Sequence, residues 1–459
     1  MAASMSGPPP RPALARRTAL LAGSATLLAG CETLTDWTDS LYGRRKVPLS
    51  GERLPVLSAE RPLEVDEGGA PLEIPAPVPR DAWPQAGGRP THAPGHPSLP
   101  APLVQRWSTS VGTGAAYRRR LTAPPLIAGG TGYGMDAYGR VGAVDIERGR
   151  LRWEKDTRPR RDRDGALGGG CAFEAGVLYV VTGLAEAMAL DPVDGAERWR
   201  VSLPGPARGA PTVADGRLYV PTVENQLLAL SAETGERQWT YRAQQAATIA
   251  LGLPAPAVEG EVVVAGFGSG ELAAIRTADG RAIWTEALTS ARGGGFSDIA
   301  AITGLPVIDR GRVFGGGLGG LFVALDLRSG RRVWERDLAV AESPWTAGDA
   351  VFVVSTSGDA VCFGRDDGRV RWIRPLGRFA QPARRRDPIT WGPPSLAGGQ
   401  LLIAGSHARM AILDPLTGER KGEQRLSGPV TLAPAFAQGG MLLLTDDANL
   451  VWMQGTAIG

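Results

Sequence analysis

The sequence predicts an all-β chain, closed into an eight-bladed β-propeller of four-stranded blades, on three observations. A hairpin ending in Gly and Trp recurs. "DIERGRLRW", "DPVDGAERW", "SAETGERQW", "RTADGRAIW", "DLRSGRRVW" and "RDDGRVRW" end at Trp153, Trp199, Trp239, Trp284, Trp334 and Trp372, 38 to 50 residues apart. That period is the size of a propeller blade. Second, a unit beginning at Ala433 stops before any such hairpin, while a lone strand pattern, "LVQRWSTSV" (103–111), precedes the first unit and carries Trp107. Each supplies what the other lacks, and closing a ring this way leaves only short, protected edges. Third, 63 Gly and 37 Pro in 459 residues favour turns over helices.

From the N-terminus, "RPALARRTALLAGSATLLAGC" has Arg11, Arg16 and Arg17, then an uncharged run of 13 residues from Thr18 to Gly30. Such a run is too short to span a bilayer and suits the apolar part of a secretory signal. "LAGC" has the form of a bacterial lipobox, in which Cys31 becomes the acylated first residue. Residues 1–30 are therefore expected to be a lipoprotein signal peptide, and export by the general or the twin-arginine route stays open. With three acyl chains, Cys31 would hold the protein on a membrane without spanning it. Glu32, rather than Asp, after Cys31 points to the outer membrane by analogy with lipoprotein sorting.

Residues 31–102 are expected to be a lipid-anchored, Pro- and Gly-rich, largely extended tether, since they carry too little apolar surface to fold alone. Removing residues 42–97 is expected to leave stability nearly unchanged. "DAWPQAGGRPTHAPGH" stands out, with Trp83 and His92 placed to pin the tether to the propeller. His92 and His96 would make an incomplete metal set, with one other His in the chain and no Cys nearby, so no metal is expected.

The propeller is expected over 103–459, its units starting near Ala123, Gly168, Ala210, Pro254, Gly304, Ser343, Gly392 and Ala433. The fifth unit is the clearest. Leu321, Val323 and Leu325 alternate as a strand does, Asp326 bonds its own turn, Gly330 supplies a positive φ and Trp334 lies on the outgoing strand. The repeated Trp, including Trp107, offers a flat surface to wedge against the neighbouring blade. A seventh hairpin, "DPLTGERKG", has Gly422 in place of the Trp.

Net charge is only +3, and the Arg-rich "RPRRDRD" and "ARRRDP" contain their own Asp. They read as solvated loops, and no nucleic-acid partner is expected. Cys171 and Cys362 fall in the second and sixth blades, which predicts two buried thiols rather than a disulfide. No catalytic nucleophile motif is present.

"ALDPVDGAERW" and "ALDLRSGRRVW" resemble the repeat of the pyrroloquinoline-quinone (PQQ)-type propellers. Behind a lipobox and closed by an N-terminal strand, the whole resembles the outer-membrane protein assembly factor BamB family, its longer alphaproteobacterial members in particular through "WPQAGG". The resemblance implies a non-catalytic, cofactor-free scaffold lipoprotein of the β-barrel assembly machinery, on the periplasmic face of the outer membrane. Its implied partners are the POTRA domains of BamA and the other BAM subunits, with unfolded outer-membrane proteins as a further candidate. A PQQ-dependent dehydrogenase would need a cofactor stack on the axis and a Ca²⁺ site. No Cys-Cys pair and no Glu, Asn and Asp set suited to it are recognisable. A scaffold or sensor of another envelope complex would share the fold and anchor and differ only in partner.

In that family, loops between central blades carry the partner. The resemblance places one at "ATIALGLPAP" (247–256), giving Thr248, Ile249 and Leu251, with Leu251 where the family has an Arg. It places the other at "GGGFSDIAAITGLPV" (293–307), giving Phe296, Asp298, Ile299 and Ile302. Only Asp298 remains acidic there. The apolar members of both sets are expected to face solvent.

Overall fold

A computed structural model describes residues 63–116, 119–159, 168–246, 252–289 and 300–455. Cys31, with the signal peptide and the tether as far as residue 62, lies outside the described residues. Eight four-stranded antiparallel sheets form the expected propeller. Blades 1 to 7 span 126–156, 169–202, 212–242, 257–287, 307–337, 345–375 and 395–425, each running from the innermost strand to the outermost. Blade 8 takes three strands from 435–455, and Leu103–Ser110 is its outermost strand, with Trp107 opposite Trp452. The units counted in the sequence are the blades.

Alternation in the strands is used on both sides. In blade 5, Leu321, Val323 and Leu325 join a core with Leu272 and Ala274 of blade 4. The intervening Phe322 and Ala324 join Val351 and Phe363 of blade 6. All five are buried, because each sheet is sandwiched between two neighbours. Outermost strands bury far less: in Arg332–Asp337 only Trp334 is buried. Cys171 and Cys362 are free, buried thiols, and burial pushes Cys171 up to about 12.

The recurring Trp joins blade to blade, and the wedge has a fixed construction. In Trp107, Trp153, Trp199, Trp239, Trp284, Trp334 and Trp372 the indole Nε1–H donates, over 2.8–3.1 Å, to a carbonyl in the hairpin turn of the following blade. The ring lies flat on that turn's glycine. At Gly330 φ is +71°, and a Cβ would sit 2.6 Å from Trp284, so this glycine is required both by the turn and by the indole above it. In blades 1 to 6 the Trp faces a small residue within its own sheet, as Trp334 faces Ala324 and Trp372 faces Cys362, whereas Trp107 of blade 8 faces Trp452.

Blade 7 breaks both rules together. Gly422 replaces the Trp and the larger Ile412 faces it. The reason lies in blade 8, where the chain is interrupted between the third strand and the fourth, so that the turn on which a blade 7 Trp would rest does not exist. At this seam Gln424 Nε2 donates to Leu103 O over 3.2 Å instead.

Candidate functional site

The innermost strand of every blade is paired on one side only, so its other edge presents backbone N–H groups to the propeller axis. Residues 80–97 make a complete circuit of the blades, meeting those edges in blades 1 to 5 and an indole or a turn amide in blades 6 to 8. Arg80 O accepts from Gln438 N of blade 8 at 2.7 Å. Trp83 exchanges two backbone bonds with Ile127 of blade 1, and Pro84 O accepts from Phe173 N of blade 2. In blade 3 a side-chain amide takes the place of a peptide group: Gln85 Oε1 accepts from Val213 N, and Gln85 Nε2 donates to Val213 O. Pro90 O and Thr91 O accept from Val258 N of blade 4 and Ile308 N of blade 5, at 2.7 and 2.8 Å. Trp345 Nε1 of blade 6 donates to Gly95 O, and Gly398 N of blade 7 to Pro97 O. The arm therefore bonds to all eight blades before entering the closing strand.

Composition explains why this segment can do so. The blades offer donors, and proline supplies a carbonyl without an N–H that would itself need a partner. Pro84, Pro90 and Pro97 each accept in this circuit. Trp83 is 3% exposed, stacked on Trp345 with ring centroids 6.2 Å apart and edge-on to Phe436 at 5.4 Å. The turn Ala86–Gly88 comes close to both anchors, since a Cβ on Gly87 would lie 2.8 Å from His92 and one on Gly88 2.7 Å from Trp83. Behind them remains a cavity of about 20 Å³ lined by Trp83, His92, Leu305, Pro344, Trp345 and Pro393.

The two histidines serve the backbone. His92 Nδ1 donates to Pro306 O over 2.8 Å, and burial pulls its pKa down to about 4. His96 Nδ1 donates to Pro75 O, while its Nε2 accepts from Gly399 N. The expectation that Trp83 and His92 pin the N-terminal segment holds, and the pinning reaches further than the sequence suggested. Asp66 N donates to Val370 O and Asp349 N to Glu73 O, both on blade 6. Residues 63–102 are largely extended, as expected, yet they are built into the ring, which argues against the expectation that residues 42–97 could be removed without cost. Gln85 was not singled out in the sequence; the density of Pro around it was the available signal.

The arm lies at one end of the ring only. It meets Asp349, Gly398 and Gln438 in the turns between first and second strands. Connections from blade to blade leave at the opposite end, where Ala243 bonds to Asn225 and Leu288 to Gly270, both in turns between second and third strands. Those connections, 243–256 and 288–306, flank blade 4 and contain the loops expected to bind a partner. Thr248, Ile249, Leu251, Phe296, Asp298 and Ile299 lie outside the described residues. Ile302 is described and corrects its expectation. It is fully buried in the core between blades 4 and 5, with its N–H donating to Phe267 O. At that same end Arg120, entering blade 1, and Glu342, entering blade 6, are close enough for their charges to interact. Burial nevertheless pushes the Glu342 carboxyl up to about 8.

Known proteins share this architecture. A family profile described as outer membrane protein assembly factor BamB matches residues 137–374. The outer membrane protein assembly factor BamB of Yersinia pestis is 28% identical over 273 residues, 58% of this chain and 69% of that one. The crystal structure of BamB from Moraxella catarrhalis matches with a TM-score of 0.64 at 21% identity, covering 77% of this chain and 100% of that one. Quinohemoprotein alcohol dehydrogenase from Comamonas testosteroni matches with a TM-score of 0.63 at 15% identity, covering 82% and 81%. At such identities a structural likeness reports the fold alone. The profile, however, spans more than half of the 459 residues, and on that ground the chain belongs to the outer membrane protein assembly factor BamB family.

Proposed function

We propose that this propeller is a non-catalytic scaffold of the outer-membrane β-barrel assembly machinery, held by acyl chains on Cys31 at the periplasmic face of the outer membrane. The family match over 137–374 carries the reading. The geometry supports it in two ways. The axis, which a quinone enzyme of this fold would need for its cofactor, is filled at one mouth by the chain's own Trp83. Among the described residues, the arm leaves clear the end of the ring that carries the interblade connections, the end at which a partner would approach.

Its partners on this reading are the POTRA domains of BamA, the other subunits of the machinery and unfolded outer-membrane chains. Contact falls on the connections flanking blade 4, through Thr248, Ile249, Leu251, Phe296, Asp298 and Ile299. Ile302 belongs to the core and is left out. Apolar anchors at one rim of a scaffold are the usual source of binding energy. Leu251→Asp and Phe296→Ala are expected to weaken binding of a BamA POTRA fragment about five- to thirty-fold, about 1 to 2 kcal/mol, with the melting temperature unchanged. Calorimetric titration measures it, and wild-type affinity in both variants would move the interface elsewhere.

The anchor has its own test. Cys31→Ser is expected to shift the protein from the membrane fraction to the soluble periplasm or leave it uncleaved. Wild-type protein found soluble would remove the anchor from the reading.

A further inference from the structure

We infer that the arm-bearing mouth of the axis is a binding site for an extended, Pro- and Gly-rich segment with a tryptophan anchor. Residues 80–97 are its ligand in cis, exchangeable for the same segment of a second copy. Each innermost strand is already held in its blade by the strand beside it, independently of the arm. What the arm fills is an arc of innermost-strand edge N–H groups on blades 1 to 5, those of Ile127, Phe173, Val213, Val258 and Ile308, continued by the Trp345 indole on blade 6 and the turn amides of Gly398 and Gln438 on blades 7 and 8. Recognition of this kind reads backbone rather than side chains, as in peptides that add to a sheet edge.

Specificity comes from two places. Trp345 and Phe436, themselves edge to face with centroids 6.0 Å apart, form a corner that takes a flat aromatic ring, and the N–H and C=O of Val213 take a side-chain amide. The arm is attached to the ring as a ligand is. Residues 80–97 form no four-stranded ladder of their own, touch each blade through one or two bonds, and join the closing strand at Leu103 through a short stretch containing Pro100 and Pro102. An arm held so can leave its own ring and enter another.

The test uses the full-length chain and a fluorescent peptide of residues 78–98. In wild type the tethered arm acts at an effective concentration on the order of millimolar and keeps micromolar peptide out. Trp83→Ala removes the anchor, which weakens the arm about thirty-fold or more. The peptide is then expected to bind at tens of micromolar, while a peptide with Ala in place of Trp83 does not. Hydrogen exchange of the same full-length chains supplies the second measurement. The amides of Ile127, Phe173, Val258 and Ile308 are expected to be protected in wild type, to exchange faster in Trp83→Ala, and to regain protection when the peptide is added. Amides that stay protected in the variant would show that Trp83 is no anchor. Amides that open without binding peptide would show that the arm is a fixed part of the fold. Either result overturns the inference, and neither bears on partner binding at the opposite end.

Discussion

His92 shows how one side chain ties the arm to pH. Its Nδ1–H is committed to Pro306 O, and its Nε2 is buried with no partner among the described residues. A proton added to Nε2 would place a charge where nothing receives it. The folded-state pKa of about 4 lies below the ordinary 6.5, so the unfolded state binds more protons between those values. The stability from neutral His92 is present above about pH 6.5 and lost as pH falls toward 4, by up to about 1.4 kcal/mol per pH unit. His92→Asn keeps a small side chain able to adopt the residue's φ of +59°. Melting curves between pH 7.5 and 4.5 are expected to fall more steeply for wild type than for this variant; parallel curves would exclude His92 as the cause. Ile302 teaches the opposite lesson about legibility. An Ile in a Gly-rich connection looked exposed, and only the backbone bond to Phe267 O, which turns the side chain inward, decides otherwise. Such a bond depends on a neighbouring blade and leaves no local trace in the sequence.

At the level of single elements, the Gly and Trp hairpin was legible because it is a local turn and a local strand, repeated. Its coupling was less so, since each Trp is completed by the next blade's turn. Gly422 looked like a lapse in the repeat, yet it follows from where the chain is cut. Trp334→Ala is therefore expected to cost about 3 to 5 kcal/mol, as loss of a packed Trp does. Gly422→Trp is expected to bring no stabilisation, because blade 8 has no turn to receive the indole, although space is open at Gly422. Denaturant titration compares the two, and a gain of several kcal/mol from Gly422→Trp would refute the account of the seam. The arm was legible as an unusual stretch, through Trp83 and His92. Its path was not, because partners on eight blades follow from ring geometry rather than from spacing along the chain.

For the whole molecule, class, blade count and closing strand could all be read from periodicity and from the two incomplete ends. The site could be read only in part. Residues 63–102 looked too polar to fold, which is true of them alone, whereas the ring supplies the surface they lack. Deleting residues 63–97 is accordingly expected to lower the melting temperature by about 5 °C or more, from the loss of Trp83 alone, with the hydrogen bonds adding to it. Scanning calorimetry on the purified chains decides this, and an unchanged melting temperature would mean that the circuit contributes nothing to the fold. The same circuit governs how the molecule takes tension. A pull arriving along the chain from its N-terminal side meets Asp66 and Glu73 on blade 6 first, then Val78, bonded to His96 and Ser98, then Arg80 on blade 8 and blades 1 to 7 in turn. Only after that does it reach Leu103 and the strand that closes the ring. Like a rope wound once round a bollard, the arm sheds load at every contact, so the closure that holds the ring together is the last joint to feel the strain.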